Sequence, residues 1–362
     1  MERRIRIKDI AEKAGVSTGT VDRVIHKRGN VSPKTKQKVK QVMEELGYEP
    51  NIIASMLAYN RVFKIATLLP DYQVDPYWQQ PKIGIEKAIE SIKHYGIEVV
   101  PFYFNLFKAE EFSQQASNIL DKAKEFSGVL LAPLFLKEAS ELLKRCSEEQ
   151  IPTAMINTNI ENSESLCYIG QDSYQSGVLA GRLIDFGCDQ ADATLVLNLA
   201  KGATNAKHLL DKERGFRDYF NSLPEKQITV LKKDFEHFTN DDKLSRFLKT
   251  VFEQHPKTTG IFVTNSRAYR VAKCLQLIGK KEVKIVGYDL LEENLRYLRS
   301  NDISFLINQN PVQQGYFGII NLVNHLLLKK EIDPLQYLPL DIVVNENVEY
   351  YLKRSLEFSI VV

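Results

Sequence analysis

The apolar positions of the first fifty residues recur with the period of an α-helix. Apolar side chains recur three and four positions apart from Ile7 to Ala14, from Val21 to Ile25 and from Val39 to Leu46, which predicts three short amphipathic helices. Gly15 and Ser17 predict a tight turn and an N-cap between the first two helices, and Ser32-Pro33 is a typical helix start. Three short helices joined in this way predict a helix-turn-helix. The inward side chains would be Ile7, Ile10, Ala11, Ala14, Val21, Val24, Ile25, Val39, Val42, Met43 and Leu46.

From Phe63 onward the period changes, and strand-like apolar runs alternate with helical segments. Such alternation is typical of parallel sheets with helices on both faces. Because the segment is longer than one sheet of about six strands needs, the sequence predicts an α/β region of two similar lobes, each a doubly wound parallel sheet. Strands are predicted at 65–69, 97–104, 128–132, 153–156, 194–197, 260–263 and 283–286, with a helix over 83–92.

The two regions differ in charge. Residues 1–61 hold 13 Lys and Arg against 7 Asp and Glu, a net charge of +6, whereas the remainder holds 35 against 39, a net charge of −4. A small basic head on a mildly acidic body is typical of a nucleic-acid-binding appendage. A helical bundle of another kind is the alternative, and the local charge together with the turn disfavours it.

The composition narrows the class of protein. With 362 residues, 44% apolar and 26% charged, the chain fits two or three globular domains. Four scattered cysteines, no apolar leader and no long uncharged apolar run predict a soluble, cytoplasmic protein with reduced thiols. Motifs of nucleotide-binding enzymes, hydrolases and metalloproteases are missing from the sequence, so we expect no enzyme activity, no cofactor and no metal.

The second predicted helix has a polar outer face that would enter the major groove of DNA. Arg23 is the best candidate for reading a base, because its guanidinium matches N7 and O6 of guanine. Nearby lysines would neutralise phosphates, although a solvated helix face explains any single one equally well. The candidate contacts in the head are Ser17, Thr18, Gly19, Thr20, Asp22, Arg23, His26, Lys27, Lys34, Lys36 and Lys38.

Residues 52–58 predict one more short helix, with Asn51 as its N-cap. About two turns of helix are marginal in water, and this segment is apolar without a long amphipathic stripe. It would therefore fold only where another surface covers it, which predicts a conformational switch.

Polar side chains follow several of the predicted strands. In open α/β sheets, ligands bind beyond the carboxyl ends of the strands. Amides and carboxylates at these positions suit a polyhydroxylated molecule, and neighbouring aromatic rings can pack against the C–H face of a sugar. Turn formation explains any one of them as well, but not most of them together. They are Asp71, Asn105, Asn157, Asn265, Asp289 and Gln309, with the aromatic residues Tyr72, Tyr77 and Trp78.

The head resembles the lactose-repressor (LacI/GalR) family of bacterial transcription regulators, almost continuously over residues 6–58. The resemblance rests on IKDIAEKAGVSTGTVDRVI at 7–25, VSPKT at 31–35 and LGYEPNIIA at 46–54. It implies that Thr18, Gly19 and Arg23 occupy base-reading positions. It also implies that Leu57 is the apolar wedge that paired hinge helices insert into the minor groove. Asp22 stands where the family usually has a small hydroxyl residue, so the operator sequence does not carry over.

The body is similar, more loosely, to the periplasmic-binding-protein-type effector domain of the same family. The matching motifs are IGQDSYQSG at 169–177, VGYD at 286–289 and NQNPVQQG at 308–315. The resemblance implies that Lys212 stands where the family often has a sugar-binding arginine. It leaves open whether the effector is a phosphorylated or acidic sugar. The candidate effector contacts are Asp71, Tyr77, Trp78, Asn157, Asp172, Lys212, Arg214, Asn265, Asp289 and Gln309.

The predicted domains are a helix-turn-helix at 1–49, a hinge helix and linker at 50–61, and an effector-binding domain at 62–362. Within the last, one lobe is expected at 62–168 and 308–331, and the other at 169–307 and 332–362.

The predicted function is that of a homodimeric repressor of transcription. It would bind double-stranded DNA at a pseudo-palindromic operator under allosteric control by a small carbohydrate. A sugar-binding transport protein, a sugar-processing enzyme and a regulator that senses a non-sugar metabolite such as a nucleobase are the alternatives. The residues after Asn347 lack several heptads, so a coiled-coil tail joining dimers is not indicated.

Overall fold

The computed structural model describes residues 5–25, 29, 31–46, 48, 62–186, 193–200 and 207–354. The chain divides into two compact units, Met1–Arg61 and Val62–Val362. Among the described residues, no helix has the length and apolar character needed to cross a membrane.

The first unit contains the three predicted helices, α1 (Ile7–Ala14), α2 (Thr18–Ile25) and α3 (Pro33–Leu46). Gly15 ends α1 in the left-handed conformation with φ 63°, which only glycine adopts without strain. The hydroxyl of Ser17 then accepts a hydrogen bond from the backbone N–H of Thr20 at 3.1 Å. These local signals turn the chain so that α1, α2 and α3 share one core, whose buried members are Ile10, Ala11, Ala14, Val21, Val24, Val39 and Val42.

Residues 62–170 form most of the first lobe of the second unit. The strands are β1 (Phe63–Pro70), β2 (Ile97–Phe104), β3 (Phe126–Leu131), β4 (Thr153–Ile156) and β5 (Cys167–Gly170). The helices are α4 (Gln79–Ile92), α5 (Ala109–Leu120) and α6 (Leu136–Glu148), with 3-10 turns at Pro76–Trp78 and Ala123–Glu125.

Residues 173–308 form most of the second lobe in the same alternating order. The strands are β6 (Ala193–Asn198), β7 (Thr229–Asp234), β8 (Thr258–Val263), β9 (Lys284–Tyr288) and β10 (Phe305–Asn308). The helices are α7 (Ser173–Asp185), α8 (Lys207–Asn221), α9 (Asp241–Gln254), α10 (Ala268–Leu277) and α11 (Glu292–Arg299), with a 3-10 turn at Pro224–Lys226.

The last segment returns to the first lobe and then to the second. Helix α12 (Pro311–Val323) continues into a π-helical turn at Asn324–Leu328. Strand β11 (Leu335–Tyr337) pairs in parallel with β5, and β12 (Asp341–Val343) pairs antiparallel with β10 before α13 (Val348–Arg354). The third crossing between lobes therefore lies between β11 and β12, later than the predicted boundary at 331–332. The strand β11 has only three residues and a mostly exposed surface, so it gives no apolar run to detect.

The strand orders are β11-β5-β4-β3-β1-β2 in the first sheet and β12-β10-β9-β8-β6-β7 in the second. All pairs are parallel except β10 with β12. The expected architecture of two doubly wound parallel sheets is confirmed. This topology brings the carboxyl ends of the strands in both lobes to the same inter-lobe crevice.

Candidate functional site

The outer face of α2 carries the predicted DNA-reading residues. Val21 and Val24 are buried in the helical core, and this orientation leaves Thr18, Gly19 and Arg23 exposed. Thr20 and Asp22 are half-buried beside them, and Ser17 is occupied in capping α2. The predicted phosphate contacts Lys34, Lys36 and Lys38 are exposed on α3, whereas His26, Lys27, Asn51 and Leu57 lie outside the described residues.

A cavity of about 280 Å³ lies between the two lobes of the second unit. This volume is near the lower end of the range for small-molecule sites, and it fits a ligand of about one sugar ring. Nearly all of its lining follows the carboxyl end of a strand. The first lobe contributes Asp75, Tyr77, Trp78, Leu106, Phe107, Leu134, Phe135 and Asn157. The second contributes Ala200, His208, Leu209, Lys212, Thr264, Asn265, Ser266 and Arg267, and Gln309 lies at a crossing between the lobes.

The wall from the first lobe is largely aromatic, and its geometry is fixed by local hydrogen bonds. Asp75 caps the 3-10 turn Pro76–Trp78 by accepting a hydrogen bond from the N–H of Tyr77 at 3.1 Å. The rings of Tyr77 and Trp78 meet edge to face with centroids 5.0 Å apart. The side-chain amide of Asn157 donates to the Tyr77 hydroxyl at 2.9 Å. An amide is therefore held at the border of an apolar ring surface.

The wall from the second lobe is polar and is centred on Lys212, which is 1% exposed. Helices α7 and α8 approach so closely that a Cβ on Gly177 would lie 2.0 Å from the carbonyl oxygen of Lys212. The Lys212 ammonium donates to the carbonyl oxygen of Thr264 at 3.1 Å and to Oε1 of Gln309 at 3.3 Å. It also lies 3.6 Å from the centroid of the Tyr288 ring.

Asp289 lies directly behind Gln309 and is fully buried. The side-chain amide of Gln309 donates to Oδ2 of Asp289 at 2.6 Å, so Gln309 bridges the carboxylate to the Lys212 ammonium. Burial raises the pKa of Asp289 and lowers the pKa of Lys212, and the charge of each partly offsets the shift of the other. Burial also lowers the pKa of His208 to about 3, which leaves that imidazole neutral at pH 7.

Polar contacts join the lobes around the cavity. Arg267 forms an ion pair with Asp75 of the other lobe, and its guanidinium also donates to the carbonyl oxygen of Leu199 at 3.1 Å. The hydroxyl of Thr158 and Nδ1 of His208 lie 3.1 Å apart across the crevice. These contacts hold the two walls against each other.

The structure brings most of the predicted effector residues together. Tyr77, Trp78, Asn157, Lys212, Asn265 and Gln309 line the cavity, with Asp289 behind Gln309.

Three predicted effector residues lie outside this cavity, and two of them, Asp172 and Arg214, line a second cavity of about 240 Å³ between the lobes. Asp71 accepts a hydrogen bond from the N–H of Gln73, and Asp172 caps α7 by accepting one from the N–H of Gln175. Arg214 is exposed on α8 and contacts Asp211 at 3.3 Å.

Lining residues that were not predicted from the sequence include Asp75, Phe107, Phe135, Thr264, Ser266 and Arg267. Asp75 precedes the aromatic pair that was selected, and Arg267 lies two positions after Asn265, so both were within reach of the strand-end argument. Phe107 lies two positions after Asn105, which follows β2, whereas Phe135 follows β3 without any polar signal. A metal site formed by three or more His, Cys, Asp or Glu side chains does not occur in the part of the chain that the structure describes.

Comparison with known proteins gives two family matches. Residues 65–331 match the periplasmic binding protein domain, and residues 6–51 match the lacI family of bacterial regulatory proteins.

Individual relatives cover most of the chain. The HTH-type transcriptional regulator MalR of Streptococcus pneumoniae is 27% identical over 308 residues, covering 83% of this chain and 88% of that protein. The ribose operon repressor of Halalkalibacterium halodurans is 26% identical over 355 residues, covering 95% of this chain and 97% of that protein. A solved structure from Bacteroides fragilis, assigned to the LacI transcriptional regulators, superimposes with a TM-score of 0.75 at 26% identity, covering 80% of this chain and 100% of that chain.

Proposed function

We propose that this protein represses transcription under the control of a small carbohydrate. The chain belongs to the lacI family of bacterial regulatory proteins, and its body is a periplasmic binding protein domain. The observation that carries the proposal is the inter-lobe cavity, which has one aromatic wall and one hydrogen-bonding wall. Relatives of similar length are named as repressors of sugar operons, which supports the same assignment.

The DNA-binding half of the proposal rests on the exposed face of α2. Thr18 and Arg23 point away from the core of the first unit, and the lysines of α3 lie on exposed positions near them in sequence. One such helix reads only a few base pairs, so two copies of the chain would bind the two halves of a pseudo-palindrome. We therefore propose a homodimer, with the hinge segment around Leu57, outside the described residues, contacting the centre of the operator.

The carbohydrate half rests on the chemistry of the two walls. A sugar ring has an apolar C–H face, which fits against Trp78 and its neighbours, and hydroxyls at its edge. Asn157, Asn265 and Gln309 present amide groups that both donate and accept, as hydroxyls require. In this role the ligand is bound and released unchanged, and the protein is not an enzyme.

The control step is a change in the equilibrium between lobe arrangements. A ligand that contacts both walls binds more tightly when the lobes are closed, so it stabilises the closed arrangement. Operator affinity then changes by the difference in the free energy of ligand binding between the two arrangements.

The test is operator binding by the full-length chain. An inverted-repeat duplex selected from a random pool should bind at least about tenfold more tightly than random competitor at moderate ionic strength. One member of a panel of monosaccharides and disaccharides should change that affinity. Trp78→Ala should keep the operator affinity and lose the response, while Asp71→Ala, outside the cavity, should keep both. A chain that prefers no duplex would refute the regulator assignment.

The same experiment separates the alternatives. Aromatic rings also stack on nucleobases, so the panel includes hypoxanthine and guanine. A response to these and to no sugar would replace the carbohydrate with a nucleobase. Ligand binding without any DNA preference would indicate a sugar-binding protein, and consumption of a sugar during incubation would indicate an enzyme.

A further inference from the structure

The charged side chains that face the cavity have partners of opposite sign within the protein. Arg267 reaches across the crevice to Asp75, and the two side chains are only 13% and 11% exposed. The guanidinium is further held by the carbonyl oxygen of Leu199 and lies over the Phe238 ring at 4.7 Å. Arg267 is therefore already occupied, both by a carboxylate and by neutral contacts of its own lobe.

The second charged pair is Lys212 with Asp289. The two are bridged by Gln309, whose Oε1 accepts from the ammonium at 3.3 Å and whose amide donates to the carboxylate at 2.6 Å. Because each charge is buried and compensates the other, the loss of one removes the partner that stabilises the other. The net charge of the pair is zero whether both members are charged or both are neutral.

The other lining residues add no charge. His208 is neutral at pH 7 because burial lowers its pKa to about 3. The remaining polar lining of the described residues consists of neutral hydroxyl and amide groups, from Tyr77, Asn157, Thr264, Asn265, Ser266 and Gln309. Over the described residues, the charges at the cavity therefore cancel.

We propose that this cavity selects uncharged sugars against their acid and phosphate forms, and that Asp75 is the specificity-determining residue because it occupies Arg267. The inference rests on the proposed function and narrows its ligand class. A carboxylate or phosphate in the cavity would meet no free cation among the residues that the structure describes, so its charge would be buried without a counter-charge. It could pair with Arg267 by displacing Asp75, or by sharing the guanidinium with it, and either arrangement leaves two buried carboxylate or phosphate groups for one cation.

The test compares matched ligands on the full-length protein. Isothermal titration calorimetry would compare the affinity of each neutral sugar with that of its charged forms. The sets are glucose against glucuronate and glucose 6-phosphate, galactose against galacturonate, and ribose against ribose 5-phosphate. We expect the neutral member of the pair that binds to do so at least about a hundredfold more tightly than its charged form. A charged form that binds the wild-type protein more tightly than its neutral parent would overturn the inference while leaving the regulator assignment intact.

Asp75→Asn tests the residue itself. The asparagine side-chain oxygen can still accept the hydrogen bond from Tyr77, so the 3-10 turn is kept, but Arg267 loses its counter-charge. The ratio of the affinity for the charged sugar to the affinity for its neutral parent should rise by about tenfold or more. Glu349→Gln is the matched control, because Glu349 pairs with Arg299 at 2.8 Å and neither residue lines a cavity between the lobes. An unchanged ratio in Asp75→Asn would show that Asp75 does not set specificity.

A second measurement does not depend on the choice of sugar. At constant ionic strength, a few millimolar inorganic phosphate should raise the melting temperature of Asp75→Asn more than that of the wild type or of Glu349→Gln. The basic first unit is the same in all three proteins, so its own affinity for phosphate cancels in the comparison. Equal shifts in the three proteins would count against a freed Arg267. If no sugar in the panel binds or alters operator affinity, the proposed function fails, and the inference fails with it.

Discussion

Asp289→Asn should destabilise the second unit, because it removes the counter-charge of a buried ammonium. Lys212 is 1% exposed and Asp289 is 0% exposed, so water cannot replace the missing partner. Breaking a buried ion pair from one side typically costs about 3–5 kcal/mol. Lys212 can instead lose its proton, and discharging a lysine with an ordinary pKa near 10.4 at pH 7 costs about 4.6 kcal/mol at most. We expect a loss of about 3 kcal/mol, or a melting temperature about 6 °C lower in a domain of this size.

The two single variants should respond to pH in opposite directions. In Asp289→Asn, the pKa of Lys212 falls further below its unfolded value, so between neutral pH and about 10 the unfolded state binds more protons than the folded state. Stability therefore rises with pH in that window. In Lys212→Met, the raised pKa of Asp289 means that the folded state binds more protons above about pH 4. Stability therefore falls as the pH rises from there through the folded pKa.

The assay is urea unfolding of the ligand-free protein at several pH values, followed by a double-mutant cycle. The variant carrying both Asp289→Asn and Lys212→Met removes both charges, so it should be less destabilised than the sum of the single variants by about 2 kcal/mol. Additivity within about 0.5 kcal/mol, or two single variants with the same pH slope, would refute the assignment of a coupled buried pair.

Three further predictions concern the head and the packing of the first lobe. Arg23→Ala should relax the base preference at one position of each half-site, measured by competition with substituted duplexes. Lys34→Ala should instead lower the affinity for all duplexes alike, and a uniform loss of affinity in Arg23→Ala would make Arg23 a phosphate contact. Leu57→Ala should keep ligand binding in titrations but lose tight operator binding, and unchanged operator affinity would contradict the hinge assignment. Gly84→Ala would place a Cβ 1.9 Å from a backbone carbonyl oxygen of α12, so it should cost about 3 kcal/mol in urea unfolding. Gly128→Ala, whose nearest atom is a side-chain methyl at 3.3 Å, should cost about 1 kcal/mol or less.

Local sequence signals were sufficient for the helix-turn-helix and for most of the strands. The spacing of Ile10, Ala11 and Ala14 defines one buried face of a helix whatever surrounds it, and Gly15 and Ser17 specify the turn through their own backbone and side-chain chemistry. Seven strands, β1 to β4, β6, β8 and β9, were equally visible, because they read as apolar runs. Strands β5, β10, β11 and β12 were not predicted, and each has only three or four residues. Strand β7 was not predicted, because it lies at a sheet edge and ends in the polar residues Lys232-Lys233-Asp234.

The sequence by itself determined the architecture and which strand ends could face a ligand, since period and turn chemistry are local properties. It could not decide which of those side chains meet, because a carboxylate that caps a helix and one that faces a cavity look alike along the chain. Asp172 caps α7 and lines the second cavity, while Asp75, which caps a short turn, reaches Arg267 across the lobes. Only the tertiary structure pairs residues 192 positions apart, and that pairing sets the charge of the cavity. The physical reason is that electrostatic compensation depends on distance and burial in space.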